Sequence, residues 1–249
     1  MATGDLVRAV DETGTADLEA ARTTWREIAG RYAKLGFTIR RPVALVIEDM
    51  PIMGATQPTK DGFRLHVAAH AARSGMLDGL MAHEAGHMVR MEAGHPSHRQ
   101  EVHGRVFDAV AVNVPAKERE AFGEVAGEAI NHVEDIYADD FSIQVIGRDR
   151  DLGPFFADWV RNSARRGPTR WATVGNGVTV AFALGNMARH GVRDEDTRRR
   201  ADAFAQSADL PSLPKLAAAF RDLPKTDETG PVESAMRDIL AAIAAEGVR

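Results

Sequence analysis

The stretch Met76-Leu-Asp-Gly-Leu-Met-Ala-His-Glu-Ala-Gly-His-Met-Val-Arg-Met-Glu92 decides how this chain is read. Leu77, Leu80, Met81, Met88 and Val89 are spaced as the apolar positions of an α-helix. Gly94-His95-Pro96-Ser97 then stops it. Within that helix lies His83-Glu84-Ala85-Gly86-His87. Residues four apart on a helix stack on one face. His83 and His87 therefore point their imidazoles at one place, and Glu84 stands one step round. Two imidazoles at that spacing can both bind one zinc ion. A neighbouring carboxylate is a general base for water on such a metal.

Outward from the motif, Thr15 to Leu35 has the spacing of an amphipathic helix, with Leu18, Ala21, Trp25, Ile28 and Tyr32 inward and Gly36 closing it. Pro42 to Glu48 is a short β-branched run and reads as a buried strand. Met50 to Pro58, with two prolines and a glycine, reads as a turn. Gly62 to Ala69 alternates and reads as an edge strand, onto which a peptide would add as a further strand. After the motif the pattern is helical. Pro115 to Ile146 gives one long helix or two. Further helices are expected at Gly153–Ala164, Gly177–His190, Asp194–Ser207, Leu213–Leu223 and Val232–Glu246, with Pro224–Pro231 as a linker. The fold class is α+β: a mainly helical protein with a small N-terminal sheet. Residues 1–95 form an α/β lobe ending in the motif helix. Residues 96–249 form a helical lobe that completes the same catalytic domain.

Composition narrows the chemistry. The chain has 249 residues, a net charge of −5 and no cysteine. A metal must therefore be held by His and carboxylates. Lack of cysteine fits a reducing compartment, so a cytoplasmic protein is expected. Met1 to Asp11 has no apolar signal core. Val178 to Leu184, the longest apolar stretch, is too short to span a bilayer, so no membrane partner is expected. The mild acidity gives no nucleic-acid footprint, and the Arg161–Arg170 and Arg198–Arg200 clusters read as solvated helix ends and loops.

The motif resembles that of the zincin metallopeptidases, whose signature is HExxH. The metzincin continuation HExxHxxGxxH is not met: Arg90 stands at its glycine and Ala93 at its third histidine. His95 comes two residues late. The chain is more similar to the gluzincins, which take a third ligand from a carboxylate on a second helix. Glu134, 47 residues after His87 (87 to 134), is the expected ligand. The apolar face Ala126, Ile130, Val133, Tyr137 and Phe141 puts Glu134 at its edge and Asp135 toward solvent. Asn131-x-x-Glu134-Asp135 resembles the NxxED of minimal gluzincin-like domains. Asp135-Ile-Tyr-Ala-Asp139 matches the ExxAD pattern with Asp for Glu. That alignment makes Asp135 the ligand and Asp139 its supporting partner.

The resemblance implies a Zn2+ peptidase acting on peptides or proteins, with Glu84 as base and His83, His87 and Glu134 as ligands. Tyr137, His132, His190 and Arg170 are candidate oxyanion donors. His66 and His70 border the cleft or face water. His98 and His103, near Glu101, are candidates for a second metal site. A metal-bearing module without turnover is the alternative function, and an accidental HEAGH in a helical interaction protein the third.

Overall fold

A computed structural model of the chain describes residues 4–147 and 152–249; residues 1–3 of the Met1–Asp11 segment lie outside them. Contacts divide it into two units, Met1–Gly94 with Tyr137–Arg150, and His95–Ile136 with Asp151–Arg249.

The first unit holds a four-stranded sheet in the order β1-β2-β4-β3. Its strands are β1 (Leu6–Asp11), β2 (Val43–Glu48), β3 (Gly54–Pro58) and β4 (Phe63–Ala68). β1, β2 and β4 are mutually parallel, while β3 runs antiparallel to β4. Val43, Leu45, Ile47, Phe63, Leu65 and Val67 alternate inward and are buried, the period-2 pattern of a sheet with one covered face. α1 (Leu18–Lys34) starts at Asp17, whose carboxylate accepts the Ala20 N–H, an N-cap. It buries Trp25, Ile28 and Tyr32. The Tyr32 hydroxyl donates to the Ala82 carbonyl at 2.6 Å, which ties α1 to α3 (Leu77–Glu92) just before the motif. The short α2 (Ala69–Ala72) leads from β4 toward α3.

Two strand expectations are corrected. Met50 to Pro58 is not only a turn, because its second half is β3. Gly62 to Ala69 is not the edge, because β4 is hydrogen-bonded on both sides. The edge is β3. Gly54-Ala-Thr-Gln-Pro58 carries almost no β-branched signal, and its pairing with β4 supplies what propensity lacks.

The second unit is helical among its described residues: α4 (Gln100–Ala111), the first part of α5 (Arg119–Ile146), α6 (Gly153–Ser163), α7 (Arg170–Arg189), α8 (Glu195–Ser207), α9 (Leu213–Arg221) and α10 (Thr229–Gly247). α7 packs closely on α9. A Cβ on Gly185 would lie 2.6 Å from the Ala217 carbonyl oxygen. α7 begins at Arg170 rather than Gly177, and α10 takes in Thr229–Pro231 from the expected linker. No described helix is long and apolar enough to cross a membrane.

α5 is a single unbroken helix of 28 residues. Its first part belongs to the second unit and Tyr137–Ile146 to the first.

Candidate metal centre

The motif lies where its spacing predicts. The His83 and His87 Nε2 atoms face each other 3.0 Å apart. Two nitrogens about 2.05 Å from one tetrahedral zinc stand roughly 3.3 Å apart, so the pair is already spaced for a shared ion. The other nitrogen of His83 is engaged: Nδ1–H donates to Asp139 Oδ1 at 2.7 Å. That bond sets the tautomer in which Nδ1 carries the proton and Nε2 carries the lone pair. Asp139 is buried and also accepts from the Ser142 hydroxyl at 3.1 Å.

Glu84 is buried. Its Oε2 accepts from the Thr56 hydroxyl of β3 at 2.8 Å, and its backbone carbonyl accepts from the same hydroxyl at 3.2 Å. Gly86 explains how α5 comes so near. A Cβ at that position would lie 2.6 Å from the Ala138 carbonyl oxygen, so only glycine admits the α5 backbone there. Arg90, the residue that breaks the metzincin pattern, fastens the same contact. Its Nε donates to the Tyr137 carbonyl at 3.1 Å, and its guanidinium lies 4.1 Å from the Phe141 ring centre, a cation–π distance.

Asp135 stands four residues before Asp139 on α5, hence one turn along the same face. Within the first unit, His83 and His87 offer two nitrogens to one ion and Asp139 braces His83. Both expected carboxylates lie on α5, and Asp135 is the one that helical spacing aligns with Asp139. The solvent-facing expectation for Asp135 is corrected. Its side chain is 26% exposed, against 23% for Glu134. Between His132 and Ile143 the buried residues of α5 cover more than half of its circumference, so a single narrow apolar face does not describe it.

The remaining candidates separate. His95 is buried with both ring nitrogens bonded, Nδ1 to Ser97 and Nε2 to the Thr226 carbonyl; it holds a loop. Ser97 Oγ also meets His98 Nδ1 at 2.8 Å, and His103 Nε2 donates to the Ser97 carbonyl at 2.6 Å. Glu101 turns away to pair with Arg99, so it does not join His98 and His103 as expected. His66 bonds Glu48 and lies 3.4 Å from Gln57 on the other face of the sheet, and His70 is exposed on α2.

Among the oxyanion candidates, Arg170 pairs with Glu246 and with the Ala208 and Asp209 carbonyls, a structural clasp. His190 is the C-cap of α7. Tyr137 is buried. His132 is stacked on Phe182 with ring centres 4.1 Å apart. Burial disfavours its charged form, but the neighbouring carboxylates of Asp135 and Glu128 outweigh that and raise its pKa. Its Nδ1 is 3.5 Å from Asp135 Oδ2. The residues that sequence reasoning missed are Thr56, whose segment reads as a turn, and Ser97.

The chain belongs to DUF5781, a family of unknown function, whose model matches residues 32–247. No curated protein and no solved structure matches it.

Proposed function

We propose that this chain is a zinc-dependent peptidase whose metal is held by His83, His87 and a carboxylate of α5, with Asp135 as that carboxylate. The observation that carries the reading is the His83–Asp139 bond. It orients one imidazole of an HExxH pair, and a second carboxylate lies one turn away on the helix that supplies Asp139. The donor set of two nitrogens and one oxygen suits zinc and leaves a fourth position open. Bound there, zinc would polarise a carbonyl and make a water acidic near neutrality.

The chain's own groups divide the remaining work. Glu84 is placed to take a proton from water and return it to a leaving amine. Asp139 holds His83. His132, 3.5 Å from the Asp135 carboxylate, favours its ionised form. The free edge of β3 offers a peptide the pairing first expected of β4. The absence of cysteine agrees with a cytoplasmic setting.

The test is zinc content together with cleavage of a mixed peptide library by the full chain. The reading expects about one zinc per chain, cleavage lost on treatment with a chelator, and cleavage restored by zinc. A chain that carries zinc but cleaves nothing would support the metal-bearing module without turnover. A chain that binds no zinc overturns both.

A further inference from the structure

Thr56 sits at an unusual junction. β3 pairs with β4 in the register Gly54↔Val67, Thr56↔Leu65 and Pro58↔Phe63. The Thr59 N–H bonds the Gly62 carbonyl and the Ala68 N–H bonds the Met53 carbonyl. Antiparallel pairs alternate between bonded and unbonded residues. Met53, Ala55, Gln57 and Thr59 therefore spend their main-chain groups on β4. Gly54 and Thr56 direct theirs to the outer edge, and Pro58 ends the row because it has no N–H. The Thr56 side chain goes the other way. It shares the sheet face of buried Leu65, and its hydroxyl donates to Glu84 Oε2 at 2.8 Å.

Resting on the peptidase reading, we propose that Thr56 is a positioning residue that couples the substrate-binding edge to the general base. Its main-chain N–H and C=O form the central pairing point for an extended peptide. Its hydroxyl occupies one oxygen of the Glu84 carboxylate and leaves Oε1 for water. A peptide seated on β3 fixes the height of Thr56, and Thr56 fixes the carboxylate. Such coupling acts on the rate once substrate is bound more than on binding, because the hydroxyl does not touch the peptide.

The test compares Thr56→Val and Thr56→Ser with the wild type, all as zinc-loaded full chains, on one cleaved peptide from the library. The expectation is a kcat lowered about 10- to 100-fold in Thr56→Val, the scale of a misplaced catalytic group, with KM changed less than about twofold and zinc content unchanged. Thr56→Ser, which keeps the hydroxyl, returns kcat to within about threefold of wild type. A second readout needs no turnover. In urea unfolding of the metal-free chain, Thr56→Val lowers the folding constant about tenfold when Glu84 is present and by clearly less in a Glu84→Ala background, where only the bond to the residue-84 carbonyl remains.

An active wild type with an unaffected Thr56→Val, or a rise in KM alone, overturns the positioning role. So does an equal effect of Thr56→Val in both backgrounds. A wild type that cleaves no peptide overturns the peptidase reading instead, while the unfolding cycle still reports whether Thr56 holds Glu84.

Discussion

Gly86 of α3 and Ala138 of α5 are in backbone contact: a Cβ on residue 86 would stand 2.6 Å from the Ala138 carbonyl oxygen and 3.0 Å from its carbonyl carbon. The neighbour is main chain, so it cannot swing aside. Two effects of Gly86→Ala oppose each other. Alanine gains about 1 kcal/mol of helix propensity. Forcing the helices apart costs about 1–3 kcal/mol, and here the crowding atom is rigid, which puts the cost at the upper end. The variant is expected to be destabilised by about 1–2 kcal/mol net in urea unfolding. It should also bind zinc more weakly, because Asp139 moves with α5. Unchanged or raised stability would show that the two helices do not meet at Gly86.

Asp139 touches no metal in this account, yet it should matter to zinc. Asp139→Asn weakens the acceptor at His83 Nδ1 and is expected to lower zinc affinity about 10- to 100-fold, the usual cost of losing an outer partner. Competition with a chromophoric chelator measures it. Asp140→Asn, the adjacent change, is expected to leave affinity within about threefold. Equal effects at the two positions would remove the special role of Asp139.

The third ligand is decided by comparing Asp135→Ala with Glu134→Ala. The expectation is that Asp135→Ala purifies with less than about a third of the wild-type zinc, while Glu134→Ala keeps nearly all of it. The reverse pattern assigns the position to Glu134, the residue that the NxxED resemblance favours.

Acid stability should carry the mark of Asp11. Its carboxylate accepts the N–H of Ala16 at 2.8 Å, and the hydroxyl and N–H of Thr13 at 2.7 and 2.9 Å. These bonds, Ala16 first, lower its pKa from 3.8 to about 2. A depressed folded-state pKa means the carboxylate's contribution is complete above the unfolded value. It is then lost as pH falls from near 4 toward 2. Asp11→Asn should flatten the stability profile in that window and leave it unchanged in shape above it. A carboxyl carbon titration of Asp11 with its midpoint near 4 would contradict these hydrogen bonds.

Much of this site was legible in the sequence because it depends on local spacing. His83, Glu84 and His87 need only the helical period. α1, β2 and α3 begin and end within three residues of the bounds read from apolar patterning. What was not legible depends on pairing and packing between distant segments. β3 is a strand because β4 lies beside it, and no five-residue window containing Gly54 and Pro58 announces that. Asp135 reads as solvent-facing on a wheel that assumes one narrow buried face, whereas the buried positions of α5 between His132 and Ile143 spread well beyond one face and leave Asp135 half-buried among them. α7 starts seven residues before its expected first residue, at Arg170, and Gly175 and Gly177 are buried within it. Thr56 was hidden for the same reason as β3: its partner, Glu84, is 28 residues away.

The most direct test of the central claim is a paired measurement on Glu84→Gln: zinc per chain, and turnover of a peptide that the wild type cleaves. Glutamine keeps the shape of the side chain and the Thr56 contact, but it cannot accept a proton from water. The account predicts a zinc content equal to wild type and turnover lower by about 10²- to 10⁴-fold, the range for loss of a general base. Full turnover with zinc bound would contradict it.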